Sequence, residues 1–182
     1  MSALEIAEGL RRVITGNNTS GKSIIAIDDG PAEVLENGTI GLYEAWNDEG
    51  ATIVRTNHED VAKGDVVLAP PANGVRVRWF SIAPFGKDVS AEDQLESLNE
   101  AFDAMGGHGS RVNVDSHPGM HLTKTMDVVA VFKGRIKLIM EDGEVELKPG
   151  DVVIQRGTNH AWEAVGDETA ICLGVLVDRE LA

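Results

Sequence analysis

The sequence predicts an all-β protein whose antiparallel strands close into a barrel or a sandwich. Two observations support this. The C-terminal third consists of short segments rich in Val and Ile, which are typical of β-strands. Tight-turn residues separate them, among them Asp142-Gly143 and Pro149-Gly150-Asp151, so the chain reverses without crossover helices. Sheets of this size have to hide their edges, which favours a closed or sandwiched arrangement.

The individual strands follow from the same turn signals. In the C-terminal third they are predicted at residues 127–133, 135–140, 145–148, 152–155, 160–165 and 170–178. The N-terminal half repeats the pattern less regularly, with candidate strands at residues 12–15, 23–28, 39–46, 52–55 and 75–83. No sequence repeat relates the two halves.

One segment breaks the β pattern. Ser90 is a good N-cap, acidic residues follow it, and Leu95, Leu98 and Phe102 recur at helical spacing before Gly106-Gly107. The sequence therefore predicts a short amphipathic helix inserted between strands. It could serve for packing, as a lid or as a dimer contact.

Composition limits the function classes. The 182 residues suit one domain, and 16 basic against 30 acidic residues give a formal charge of −14. This charge repels phosphate backbones and anionic lipids, so we expect no nucleic-acid or membrane partner. The first residues lack the basic flank and apolar centre of a signal peptide, so a cytoplasmic location is expected. The single cysteine, Cys172, excludes an internal disulfide and reads as a buried apolar residue.

Candidate metal ligands surround the most regular β-region. Residues of equal parity on a strand share one face, so His121, Thr123, Thr125 and Asp127 can point the same way. A neighbouring antiparallel strand could bring His160 opposite them. Two imidazoles and one carboxylate form a facial triad that suits Fe(II) and can accept Mn, Ni or Zn.

These residues resemble the two motifs of the cupins. The first motif is His-x-His, an acid about four residues later and a glycine beyond, matched by His121, Asp127 and Gly134. The second is a Pro-Gly-Asp turn leading to Gly-x-x-His, matched by Pro149-Gly150-Asp151 and Gly157 to His160. The run covers about a quarter of the chain and resembles small single-motif, conserved-barrel cupins. The resemblance implies a double-stranded β-helix, or jelly roll, that is usually a homodimer.

This resemblance sets the expected domain organisation. We expect a single domain over residues 1–182, with the cupin motif core at 112–178. Residues 1–88 would supply extra strands that extend the barrel, and residues 90–107 the inserted helix.

Two departures from the motifs bear on metal binding. Thr123 stands where the second histidine is usual, and Asp127 replaces a glutamate and is one methylene shorter. Both changes should weaken metal binding. The alternative is that His121 and Asp127 hydrogen-bond each other in a polar pocket without metal.

Other residues could line the pocket. Arg76 and Arg78 share one strand face and could bind an anionic substrate, or they could pair with acidic residues. Trp162 has the parity of His160 and could stack on a ligand, although a core position is the simpler interpretation. His117 could be a general base or an extra ligand, but its place before Pro118-Gly119 favours the pocket mouth.

Two functional hypotheses follow. The first is a metal-dependent enzyme acting on a small organic acid or a polyketide-like or aromatic metabolite, as a decarboxylase, isomerase, dehydratase or dioxygenase. In it His117 would transfer protons, and Thr123 or Thr125 would orient the substrate or a metal-bound water. The second is a metal-free cupin that binds a small ligand without catalysis. No motif implies an organic cofactor.

Overall fold

Antiparallel strands make up most of a computed structural model, which describes residues 3–50 and 53–182. Its helical segments are α1 (Ala3–Glu8), α2 (Ala91–Ala104) and a 3-10 turn at His108–Ser110. The strands are β1 (Arg12–Asn17), β2 (Ser23–Asp29), β3 (Val34–Asn37), β4 (Ile40–Asp48), β5 (Val75–Ile82), β6 (Thr125–Lys133), β7 (Ile136–Met140), β8 (Glu144–Leu147), β9 (Val152–Arg156), β10 (His160–Ala164) and β11 (Ala170–Asp178).

These strands form a jelly-roll barrel. The larger sheet has six strands in the order β3-β4-β5-β11-β6-β9, and the smaller has the order β10-β7-β8. Strands β1 and β2 form a separate hairpin. The turn between β7 and β8 needs Gly143 at φ 99°, and the next turn needs Gly150 at φ 97°, a backbone region that other residues rarely adopt.

The main core lies between the two sheets and under α2. Alternate residues of β6 are buried, so Val129 and Val131 point into this core while their neighbours face outward. Ile136 of the smaller sheet and Phe102 of α2 belong to the same cluster. Helix α2 therefore packs as part of the barrel core.

The predicted fold class is confirmed, and each predicted C-terminal strand is present. The predicted helix is also present, with Ser90 accepting a hydrogen bond from the Asp93 amide as its N-cap. The predicted strand at 52–55 is wrong over residues 53–55, which form no strand, while Thr52 lies outside the described residues. Because this apolar pair has no sheet to pack against, Ile53 and Val54 are 79% and 59% exposed.

Three elements escaped prediction, namely β3, α1 and the 3-10 turn at His108–Ser110. Strand β3 lies in a segment that Pro31 and Gly38 punctuate like a loop, and it forms by pairing with β4. Helix α1 has only six residues. Within the described ranges, no helix is long and apolar enough to cross a membrane.

Candidate functional site

A small chamber of about 90 Å3 lies inside the barrel, and a larger cleft of about 810 Å3 opens beside it. Phe102, His121 and Trp162 line both cavities, so they stand where the cleft meets the chamber. The polar lining of the chamber consists of Arg78, His121, Thr123, Asp127 and His160. Most residues singled out in the sequence thus surround one space.

His121 and His160 lie directly opposite each other. His121 precedes β6 and forms an isolated antiparallel bridge with His160, the first residue of β10. Each backbone amide donates to the other's carbonyl, at 2.9 and 3.0 Å. The two rings consequently face each other with their centroids 4.3 Å apart.

Both imidazoles are held in the same tautomer. His121 Nδ1 lies 2.9 Å from the Gly119 carbonyl, and His160 Nδ1 lies 2.9 Å from the Thr158 carbonyl. A carbonyl only accepts, so each Nδ1 carries the proton and each Nε2 keeps its lone pair. Burial lowers the pKa of His160, and it lowers the pKa of His121 to about 3. Both rings are therefore neutral at neutral pH, which is the form that binds metal ions.

Asp127 faces the chamber from β6 at the end of a short hydrogen-bond chain. Thr123 Oγ1 lies 2.7 Å from Thr125 Oγ1, and Thr125 hydrogen-bonds the Asp127 carboxylate. The other carboxylate oxygen, Oδ1, is buried and has no hydrogen-bond partner among the described residues. Burial raises the pKa of Asp127 to about 6.

The three candidate ligands share the chamber without converging on one point. Across residues 3–50 and 53–182, no three His, Cys, Asp or Glu side chains are arranged so that they could hold a metal ion together. Imidazole and carboxylate groups are suitable metal ligands, but the Asp127 carboxylate lies on β6, whereas His121 precedes this strand. Metal binding by His121, Asp127 and His160 stays a prediction.

Arg76 and Arg78 both contact Glu44, a buried acid on β4. Arg76 Nη1 donates to Glu44 Oε2 at 3.1 Å, and Arg78 Nη2 lies 3.0 Å from Glu44 Oε1. Arg78 also donates to the Val67 carbonyl. Arg78 lines the chamber, whereas Arg76 is not among its lining residues. Burial lowers the pKa of Arg78 to about 10, so its guanidinium remains charged at neutral pH.

Trp162 and His117 occupy the entrance side. The Trp162 ring meets the His160 ring edge-on at a centroid distance of 5.8 Å. His117 lies in the cleft, and its Nδ1 accepts a hydrogen bond from the Gly119 amide at 2.9 Å. Its Nε2 lies 3.8 Å from Glu163. Burial lowers the pKa of His117, so this ring is also neutral at neutral pH.

Sequence reasoning missed the site roles of three residues, Phe102, Arg111 and Glu44. The Phe102 ring packs on His121 at a centroid distance of 4.9 Å, and the Arg111 guanidinium lies over the same Phe102 ring, 4.7 Å from its centroid. Helical spacing marked Phe102 as apolar packing but could not reveal its contact with a histidine. Glu44 could have been noticed as a lone acid inside the apolar run of β4.

Comparisons with known proteins bear on this barrel. The cupin domain family model, Cupin_2, matches residues 111–176. Oryzines biosynthesis cluster protein J of Aspergillus oryzae is 50% identical over 87 residues, which are 44% of this chain and 48% of that protein. The cupin-domain-containing oxidoreductase srdB of Neurospora crassa is 28% identical over 170 residues, covering 89% of this chain and 71% of its own.

A solved structure adds a further likeness. The Cnp3 cupin domain of Schizosaccharomyces pombe aligns with 93% of this chain and 88% of its own, at 7% identity and a TM-score of 0.47. The chain spans less than half the length of the first curated relatives it matches. The antiparallel barrel, together with the cupin-domain match inside it, makes this chain a cupin-like conserved-barrel protein.

Proposed function

We propose that this chain is a metal-dependent enzyme of the cupin type that acts on a small organic molecule inside its barrel. The observation that carries the proposal is the histidine pair. The His121 and His160 rings lie with their centroids 4.3 Å apart, both neutral, and each Nδ1 is bound to a backbone carbonyl, which leaves the lone pair on Nε2. Backbone carbonyls that fix the ring tautomer are a usual accompaniment of metal-binding histidines.

The names of the relatives support a role in small-molecule chemistry. Three are biosynthesis cluster proteins, one from Aspergillus oryzae and two from Diaporthe leptostromiformis, and a fourth is called an oxidoreductase. We propose the same broad role for this chain. The reaction would be a decarboxylation, isomerisation, dehydration or dioxygenation of an organic acid or a polyketide-like or aromatic metabolite.

The donor set fits a divalent metal in its chemistry. Two imidazoles and a carboxylate suit Fe, Mn, Ni or Zn, and Asp127 has an unpartnered Oδ1 within the chamber. Such an ion supplies Lewis acidity or access to dioxygen chemistry when bound. His121 and His160 would hold it, and Asp127 would be the third ligand.

The remaining residues would bind and orient the substrate. Thr123 and Thr125 connect by hydrogen bonds to Asp127, so they could fix the carboxylate or a substrate hydroxyl. Trp162 offers a flat apolar wall beside His160. His117, neutral and in the cleft, could accept a proton from a substrate that projects out of the chamber. The catalytic unit would be one domain that pairs as a homodimer.

Metal analysis tests the proposal. The chain is purified without chelator, and its metal content is measured by mass spectrometry for wild type, His121→Ala and His160→Ala. About one Fe, Mn, Ni or Zn ion per chain is expected in wild type and little in either variant. His108→Ala is the matched control, because the His108 side chain is exposed and contacts Asp103 at the surface. A metal-free wild type, or variants that keep their metal, would rule the proposal out.

A second candidate is a cupin that binds a small ligand without metal or catalysis. Its support is that no three metal-binding side chains converge among the described residues, and that Thr123 stands where a further imidazole is usual in the motif. In this case purified protein would be metal-free, and His121→Ala would weaken ligand binding with no chemical turnover.

A further inference from the structure

A buried cluster of charged side chains borders the chamber and contains more positive than negative groups. Arg76 and Arg78 share the single carboxylate of Glu44, and the three residues are 5%, 2% and 1% exposed. Two guanidinium groups against one carboxylate leave a net positive charge in the barrel wall. A buried charge without a counter-ion is costly, so such an excess points to an anionic partner.

Arg78 has hydrogen-bond donors to spare for that partner. Its Nη2 is used by Glu44 and Val67, whereas its Nε and Nη1 are buried and have no acceptor among the described residues. Buried polar groups in folded proteins are almost always hydrogen-bonded. Arg78 lines the chamber, so an acceptor there could satisfy these donors.

Asp127 does not serve as the counter-ion. It pairs with Leu176 on β11, whereas Arg78 pairs with Gly174 from the opposite side of that strand. Strand β11 thus lies between the two charges, and neighbouring strands are roughly 4.8 Å apart. Asp127 Oδ1 has no partner, which agrees with this separation.

Gly174 leaves space next to Arg78. It lines the chamber floor between Arg78 on β5 and Val129 on β6. A Cβ atom at this position would come within 3.3 Å of Leu176 and 3.7 Å of Phe80. The missing side chain therefore keeps open the part of the chamber that adjoins the arginine.

We propose that Arg78 and the floor at Gly174 form a carboxylate-binding subsite. The substrate is then a small carboxylic acid, with its carboxylate on Arg78 and its reacting atoms towards His121 and His160. That this acid reacts at the histidines rests on the proposed function, whereas the binding of its carboxylate by Arg78 does not. One excess positive charge in the barrel wall and a chamber of about 90 Å3 suit a carboxylate better than a larger phosphate dianion.

Propionate and its neutral analogue propionamide test the subsite by isothermal titration calorimetry on the full chain. Wild type should bind propionate about tenfold or more tightly than propionamide, since hydrogen bonds to charged groups contribute that much. Arg78→Met should remove this preference. Arg135→Met, a surface arginine on Glu146, should keep it. Equal binding of acid and amide, no propionate binding, or tighter binding of inorganic phosphate would overturn the assignment.

Two further measurements separate this inference from the metal proposal. Titration after dialysis against EDTA should leave propionate binding intact. Binding that EDTA abolishes and Arg78→Met retains would place the carboxylate on a metal and overturn the subsite while supporting the metal proposal. Should Arg78→Met fail to fold, Gly174→Ala decides, because it fills the space beside an unchanged Arg78. Weaker propionate binding supports the subsite, and unchanged binding overturns it.

Discussion

Asp127 illustrates how one methylene can change a site. Its carboxylate stays on β6, hydrogen-bonded to Thr125, while the two histidines face each other across the bridge between His121 and β10. Glutamate would carry the carboxylate further into the chamber. The side-chain length at this position thus bears directly on whether three ligands can converge.

Asp127→Glu should strengthen metal binding. The longer side chain brings a third donor closer to the imidazoles, and we expect affinity for Mn(II) or Zn(II) to rise roughly tenfold, within the range that single ligand-sphere changes produce. Calorimetric titration of the chelator-treated chain measures it. Asp115→Glu, at an exposed loop position, should leave affinity unchanged. Unchanged affinity in Asp127→Glu would exclude the carboxylate as a third ligand, and weaker binding would contradict the expected gain.

The pKa of Asp127 also makes stability depend on pH. Its pKa is raised from 3.8 to about 6 on folding, so between these values the folded state binds more protons than the unfolded one. Stability contributed by this group is therefore lost as pH rises from 4 to 6. Without metal, Asp127→Asn should raise the free energy of unfolding at pH 7.5 by about 2 kcal/mol.

The same change should have almost no effect near pH 4, where folded Asp127 is already protonated. Urea unfolding in EDTA at both pH values measures the difference. Asp115→Asn serves as the control. A gain of equal size at both pH values would mean that the effect does not come from the buried charge.

At the scale of single residues, the alternation of side chains along a strand predicted much of the site. Thr125 and Asp127 share the inner face of β6, and the predicted opposition of His121 and His160 is present as a backbone bridge. The contact of Glu44 with Arg78 could not be predicted, because it depends on the register of β4 against β5. Single-sequence patterns give the face of a strand but not its partner.

At the scale of elements, α2 was predictable because its signals are local. Ser90 accepts a hydrogen bond from the Asp93 amide at 3.1 Å, and the helix begins at the next residue. Strand β3 is four residues long and depends on its pairing with β4. The start of α2 is therefore set by residues next to it in the sequence, whereas β3 is set by a separate strand.

Ser90→Ala should lower the free energy of unfolding by about 1 kcal/mol, because the first turn of α2 loses its capping acceptor. Chemical denaturation measures the change. Ser116→Ala is the control at an exposed position outside the helices and strands, and it should be neutral. Equal effects from the two substitutions would show that the cap contributes nothing of its own.

At the scale of the whole molecule, one buried arginine bonds the hairpin of β1 and β2 to two other parts of the fold. Arg12 donates to the carbonyls of Gly30 and Ala45 and pairs with Asp60, and the side chains of Arg12 and Asp60 are only 4% and 11% exposed. These bonds join the hairpin to β4 and to the loop before β5. The sequence offered no signal for this, since Arg11 and Arg12 look equivalent there.

Arg12→Met should lower the free energy of unfolding by about 3 kcal/mol, because it removes a buried guanidinium with its hydrogen bonds and leaves the half-buried Asp60 without its ion-pair partner. Arg11→Met is a closely matched control, since Arg11 forms an exposed pair with Asp28 and solvent screens such pairs strongly. Denaturant midpoints of both variants test this expectation. A larger loss in Arg11→Met would contradict it.

The single cysteine, Cys172, can serve as a chemical probe of barrel opening. Cys172 is fully buried in β11 between β5 and β6, and burial raises the pKa of its thiol to about 12. The native thiol should therefore resist alkylating reagents, which attack the thiolate. Its labelling rate in native buffer should equal the fraction of molecules in which the barrel is open multiplied by the labelling rate of a free thiol. Labelling as fast as that of a free thiol would show that the barrel does not protect its centre.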